Sequence, residues 1–309
     1  MAIVTHGLTK HYGKKLAVDD LDIVVEAGRI TGFLGPNGAG KTTAMRLMLD
    51  IDRADAGTVT FDGVPHGQLE APLRTVGAMV DANALDPNRS AEATLRCVAA
   101  GAGLAKKRVD EVLELTGMTT AAKRKVGGFS LGMRQRLGIA IAILGDPAYL
   151  MLDEPTNGLD PEGIHWIREF LGAAAANGCG VLVSSHLLSE LSLYVDQLIV
   201  IGKGRLITTG TVEEFTHRYT ADLTTVRSPK LDELVPLIEQ RGATVTTKSE
   251  GIEVTGMTAA AIGDLAALYQ IPLHELHTED DSLETAFLEA TASAQEYRTA
   301  TDTSQEASS

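Results

Sequence analysis

The segment Gly35-Pro-Asn-Gly-Ala-Gly-Lys-Thr42 leaves this chain little choice of fold. It is a complete G-x-x-x-x-G-K-[ST] loop, a shape that wraps phosphate in backbone N–H groups. An apolar run, Ile30 to Leu34, precedes it and reads as a buried strand; Thr43 to Asp50 follows and reads as a helix. Gly35, Gly38 and Gly40 let the backbone turn tightly and approach an anion with no Cβ in the way. The N–H groups that open the helix lack intrahelical partners and point at the phosphates, along with the positive end of the helix dipole. Lys41 supplies an ammonium for the β- and γ-phosphates, and Thr42 a hydroxyl for Mg²⁺. Asn37 and Thr43 belong with the loop as nucleotide-binding positions. The bland alternative, a Gly-rich turn with a solvated lysine, loses ground to what lies downstream.

Asp153-Glu154-Pro155 ends a second short apolar run, 112 positions after Lys41. Ligands of open α/β sheets gather at the carboxyl ends of the strands, so this acidic pair belongs beside the phosphates. Asp153 suits Mg²⁺, which takes few carboxylates and keeps several waters. Glu154 suits the general base that orients water for attack on the γ-phosphorus. Read alone, the same residues also fit a solvated turn.

Three further stretches follow the same order along the chain: Phe129-Ser-Leu-Gly-Met-Arg-Gln-Arg136, Gly158-Leu-Asp160 and Ser185-His186. With them the chain resembles the ATP-binding subunit of an ABC transporter over roughly residues 1 to 220. The resemblance implies that Ser130 and the backbone at Gly132 bind the γ-phosphate of an ATP held by a second copy, so that a homodimer sandwiches two nucleotides. It implies that Asp160 lies in the loop joining the two cassettes. It implies that His186 hydrogen-bonds the γ-phosphate and the attacking water, and that Tyr12 stacks on adenine. Phe129, Leu131 and Met133 depart from the family's Leu-Ser-Gly-Gly-Gln signature, while Ser130 and Gly132 keep it.

Asp81 stands where this family usually places a Gln that reaches Mg²⁺ and senses the transmembrane partner. A carboxylate can ligate the metal, but it is one methylene shorter and brings negative charge toward Glu154. Together with the Ser-Leu-Gly-Met signature it resembles the subfamily that energises small exporters of antibiotics and lantibiotics, the daunorubicin and bacitracin type. An ordinary loop residue is the alternative for Asp81.

No stretch approaches the ~20 uninterrupted apolar residues that cross a bilayer, and Met-Ala-Ile-Val-Thr-His has neither a basic leader nor a signal-type apolar region. Cys97 and Cys179 are far apart and fit neither a disulfide framework nor a metal site. The expected location is therefore cytoplasmic, peripheral on the inner face of the cell membrane through a separate polytopic permease. From Glu275 onward nine acids face one base, Arg298, so this part carries −8 of the net −14 and leaves −6 elsewhere. Lys123-Arg-Lys125, just ahead of the signature segment, is a short basic run of three charges, too few for a binding groove, and no nucleic-acid partner is expected. His274 and His277 read as ordinary surface residues.

The implied fold class is α/β: a P-loop NTPase ABC cassette, with a RecA-like core, an antiparallel β part and a helical insert, followed by a small α+β domain. Residues 1 to about 85 read as short strands with Gly turns. About 86–145 is the helical insert, with a stripe at Val109, Val112, Leu113 and Leu115. Core strands follow near 149–152, 181–184, 198–201 and 205–210. The cassette is placed at 1–220. Residues 221–292 read as β-α-β-β-α-β, with strands at Leu223–Arg227, Ala243–Thr247, Gly251–Val254 and Leu273–His277 and helices at Leu231–Arg241 and Thr258–Tyr269. That order is ferredoxin-like. Leu283–Ala292 reads as a closing helix and 293–309 as a disordered acidic tail.

The function implied is a Mg-dependent ATPase that powers export of a small molecule, an antibiotic or other hydrophobic compound. The alternative is a non-transport cassette ATPase acting in regulation or on a ribosome or chromosome. Ribosome-acting relatives carry two cassettes and chromosome-acting ones long coiled coils; this chain shows one cassette and no sustained heptads.

Overall fold

A computed structural model describes residues 1–82, 84–219, 223–248, 251–279 and 287. It divides into two compact units at Val212/Glu213. In the first, β1 (Ala2–Tyr12), β2 (Lys15–Glu26), β3 (Ile30–Leu34), α1 (Lys41–Met48), β4 (Ala56–Phe61), α2 (Pro72–Thr75) and β5 (Val76–Met79) precede three helices, α3 (Ala91–Gly101), α4 (Lys106–Leu115) and α5 (Leu131–Ala142). The chain returns through β6 (Tyr149–Leu152), α6 (Pro161–Ala176), β7 (Gly180–Ser185), α7 (Leu188–Leu191), β8 (Gln197–Gly202) and β9 (Arg205–Gly210); α8 (Val212–Tyr219) starts at the boundary and belongs, from Glu213 on, to the second unit.

Six strands form one sheet in the order β5-β6-β7-β3-β8-β9, parallel apart from β9. β3, β6 and β7 are buried along their whole length, as continuous apolar runs covered on both faces should be. A separate antiparallel sheet, β2-β1-β4, packs its inner residues Ile3, Leu8, Leu21 and Val25 with Phe33, Met45 and Met48 into one core. The strands of the parallel sheet end together, so the loops after β3, β6 and β7 converge at one edge.

Several sequence readings need correction. β1 and β2 are not short: they run 11 and 12 residues. Register shifts between Thr5 and Leu8 and again toward His11 break their alternation, so the pattern does not announce their length. The first helix begins at Lys41, two residues before the expected Thr43. α6, 16 residues long, was not foreseen, although Asp160-Pro161 is a helix-start signal; the Asp160 side chain caps it by accepting from the Gly163 N–H. In α4, Val109, Val112 and Leu113 are buried, but Leu115 at the helix end is 49% exposed.

The second unit carries β10 (Leu223–Arg227), α9 (Leu231–Glu239), β11 (Thr244–Lys248), β12 (Gly251–Thr255), α10 (Ala259–Leu268) and β13 (Glu275–Glu279). Its antiparallel sheet has the order β11-β12-β10-β13, the arrangement of a split β-α-β, ferredoxin-like fold. Val226, Ile252 and Val254 pack with Leu234, Ile238, Ile262 and Leu265 in a core of its own. The expected closing helix, apart from buried Phe287, and the tail 293–309 lie outside the described residues.

Candidate functional site

The loop between β3 and α1 is built by close packing and by unusual backbone. Gly40, at φ +104, caps α1 with its backbone, and a Cβ there would stand 2.4 Å from the Ala17 carbonyl oxygen. Gly35 has a different task from the one read in the sequence. A Cβ at Gly35 would meet the Ile201 carbonyl oxygen at 2.6 Å, so this glycine lets the loop leave β3 flush against β8. No side chain caps α1 and no acid stands in its first turn, which leaves its N-terminus suited to an anion. The loop, with Tyr12, Glu154, Asn157 and His186, lines a cleft of about 430 Å³.

Lys41 is buried, at 6% exposure. Its Nζ donates to the carbonyl oxygens of Gly35 at 2.6 Å and Pro36 at 3.4 Å, and stands 3.5 Å from Glu154 Oε1. Burial pushes its amine pKa down, and the carboxylates of Glu154 and Asp153 oppose that shift. Beneath the loop, Thr42 Oγ1 donates to Asp153 Oδ2 at 2.5 Å. Ser184 Oγ donates to the other oxygen, Oδ1. Burial pushes the Asp153 carboxyl up, against these two hydroxyl donors.

Glu154 occupies the left-handed region, at φ +47. Its carboxylate is 2.9 Å from His186 Nδ1. The carboxylate accepts from Nδ1–H, which holds the imidazole ring in one orientation. The cleft therefore joins a cation, a hydroxyl–carboxylate pair and a carboxylate–imidazole pair, a set that can bind phosphate and take a proton from water.

Tyr12, at the end of β1, is 48% exposed. Its hydroxyl donates to Asp52 Oδ2 at 2.6 Å. Arg46 on α1 grips the same carboxylate at 2.7 and 3.1 Å, and with Tyr12 it holds the Asp52 carboxyl down at about 2. Asp81 is exposed in the loop after β5, outside the residues that line the cleft.

Ser130, Gly132 and Asp160 also lie outside the lining of this cleft. They gather elsewhere on the same unit. Ser130 caps α5 by accepting from the Met133 N–H at 3.3 Å, and a Cβ on Gly132 would meet the Gly158 carbonyl oxygen at 2.7 Å. Gly158 is followed directly by Leu159 and the α6 cap Asp160. The sequence reading missed Lys15, Ala17 and Asn157, which line the cleft, and Gln135 and Ser184, which hold Glu154. Ser184 carried one signal: a polar residue closing an apolar strand two positions before His186.

The profile of the family described as ABC transporter matches residues 18–157, and a second profile, described only as a domain of unknown function, matches residues 222–284. An uncharacterized ABC transporter ATP-binding protein, YhcH of Bacillus subtilis, is 37% identical over 305 residues, covering 94% of this chain and 95% of its own length. The bacitracin transport ATP-binding protein BcrA of Bacillus licheniformis is 43% identical over 208 residues, covering 66% of this chain and 68% of itself. Among solved structures, an ATP-binding subunit of an ABC transporter superposes with a TM-score of 0.65 at 25% identity, covering 71% of this chain and 93% of its own.

Proposed function

Because the chain belongs to the ABC transporter family of ATP-binding proteins, we propose that it is the ATP-hydrolysing subunit of an exporter whose membrane-spanning part is a separate polytopic permease. The observation that carries this reading is the convergence of Lys41, Thr42, Asp153, Glu154 and His186 around the loop after β3.

The γ-phosphate of ATP takes the place of Glu154 and of the loop carbonyls as the partner of Lys41. Thr42 and Asp153 fit Mg²⁺: a hydroxyl and one carboxylate oxygen already meet at 2.5 Å beside the loop. One hydroxyl and one carboxylate suit an ion held mainly by substrate oxygens and water. Bound there, Mg²⁺ supplies neutralisation of charge on the transferring phosphoryl group. Glu154 accepts a proton from the attacking water, and His186 keeps that carboxylate aimed while contacting the γ-phosphate. Ser130, Gly132 and Asp160, away from their own cleft, serve the ATP of a partner copy, so the working form is a homodimer.

Tyr12 stacks on adenine. Tyr12→Ala should weaken ATP binding roughly five- to hundredfold, the range for loss of base stacking. Tyr12→Phe, which loses only the contact to Asp52, should stay within about threefold of wild type, because the ring remains. Fluorescence titration with ATP measures both; equal weakening by Phe and Ala would remove stacking as the cause.

Asp81 is assigned to the metal-bound water and to the permease contact. Asp81→Asn should slow Mg²⁺-dependent hydrolysis by roughly one to two orders of magnitude, as expected for an electrostatic contact near a transferring phosphoryl group. Asp81→Glu should be tolerated better, since its reach matches the family's Gln. The ATPase rate is measured with and without the permease. Three equal rates in both conditions would return Asp81 to an ordinary loop residue.

No helix among the described residues is long and apolar enough to cross a membrane. The chain docks on the permease at the cytoplasmic face, and residues 221–292 form an accessory domain, with the cassette at 1–220. The exported compound is an antibiotic or other hydrophobic small molecule, a reading supported by the bacitracin-transport relative. The acidic balance of −14 argues against a nucleic-acid partner. Isolation with a polytopic membrane protein, and loss of antibiotic tolerance when either gene is removed, are the expected results. Isolation instead with ribosomes or chromosomal complexes, and no permease, would favour the non-transport alternative.

A further inference from the structure

Ser184 is fully buried on β7, two residues before His186. Its one hydroxyl is used twice: it donates to Asp153 Oδ1 and accepts from the Glu154 N–H, at 2.9 Å in the second contact. Thr42 holds the opposite oxygen of Asp153 at 2.5 Å. The two oxygens of that carboxylate are thereby told apart, one facing the sheet and one facing the phosphate loop.

The second half of the arrangement concerns Glu154. Its φ of +47 is uncommon for a residue with a side chain, and such a conformation persists where the surroundings over-determine it. Ser184 takes its N–H, while its carbonyl oxygen accepts from Gln135 Nε2 at 3.3 Å and from the Asn157 N–H at 3.2 Å. β6 and β7 pair in parallel, Leu152 beside Val183. The next residues along these strands are therefore Asp153 and Ser184, and after them Glu154 and His186 come within contact at 2.9 Å.

We propose that Ser184 is a positioning residue for ATP hydrolysis: its hydroxyl presents Asp153 Oδ2 to Thr42 and the metal, and holds the Glu154 main chain so that its carboxylate faces His186. Nothing in the first reading of the phosphate loop requires a hydroxyl at this point of the neighbouring strand. The role rests on the hydrolytic site proposed above and adds a fully buried residue that acts through Asp153 and Glu154.

The isosteric pair Ser184→Thr and Ser184→Val tests it, because the two differ only in the hydroxyl. The readouts are kcat, KM, the Mg²⁺ concentration for half-maximal rate, ATP affinity in EDTA and the melting temperature. The Thr variant should keep kcat within about threefold, whereas Val should lose about ten- to a hundredfold in kcat and need about tenfold more Mg²⁺, the range for partners of metal-binding groups. ATP affinity in EDTA should stay within about threefold for both, since the phosphate loop and its lysine are untouched. Ser184→Ala, which removes only the oxygen, should behave like Val and carries the test if the added methyl does not fit. Equal losses in Thr and Val with a wild-type Ala variant, or losses confined to melting temperature, overturn the positioning role. Turnover that is lost in Glu154→Gln but normal in Ser184→Ala overturns this inference alone; a wild-type protein without ATPase activity overturns the reading beneath it.

Discussion

Glu154→Gln should bind ATP as well as wild type and hydrolyse it at least about a hundredfold more slowly, the loss expected when a positioned general base can no longer take a proton. The substitution keeps the shape of the site. A Gln side-chain oxygen can still accept from His186 Nδ1, now 2.9 Å from the carboxylate, and the left-handed backbone at φ +47 is held by main-chain contacts that do not involve the side chain. Only the proton acceptor and one charge near Lys41 disappear. With hydrolysis blocked, ATP should hold two copies together through the proposed shared site, since Ser130 and Gly132 lie outside their own cleft. Size-exclusion chromatography with ATP and a phosphate-release assay check the two parts. A variant that stays monomeric with ATP and turns over at the wild-type rate would remove both the base assignment and the shared site.

Lys41→Ala should lose roughly two to three orders of magnitude in kcat/KM, the scale set by removing one preorganised charged donor from a site that stabilises developing phosphoryl charge. ATP affinity should fall by about ten- to a hundredfold, the worth of a hydrogen bond to a charged group. Lys41 is 6% exposed and donates to the Gly35 carbonyl oxygen at 2.6 Å, so some loss of melting temperature is also expected. Circular dichroism separates that loss from unfolding. A folded Lys41→Ala protein with wild-type ATPase activity would show that the loop after β3 is not the phosphate site.

Much of this was legible along the chain because it is local. Ile30–Leu34, Tyr149–Leu152 and Leu223–Arg227 were readable as strands from short apolar or β-rich runs, and each occupies the expected residues. The Gly-rich loop between strand and helix declares its chemistry through residue types at fixed spacing. Where local rules are interrupted, the reading failed. Bulges in the pairing of β1 with β2 hid two long strands, and α6 went unseen although Asp160-Pro161 marked its start.

Residue identity therefore settled which groups this protein owns, a cation, a hydroxyl, two carboxylates and an imidazole, and the order in which they are strung. Which of them meet was decided by the sheet. Thr42 and Asp153 are 111 residues apart, and Glu154 and His186 are 32 apart; they touch because β7 lies between β6 and β3 in the order β5-β6-β7-β3-β8-β9. Strand order comes from crossovers and from burial of whole faces, and no window of sequence contains it. The same non-local packing put the Ser184 hydroxyl between two carboxylate residues, and set Ser130, Gly132 and Asp160 apart from the cleft whose motifs they follow.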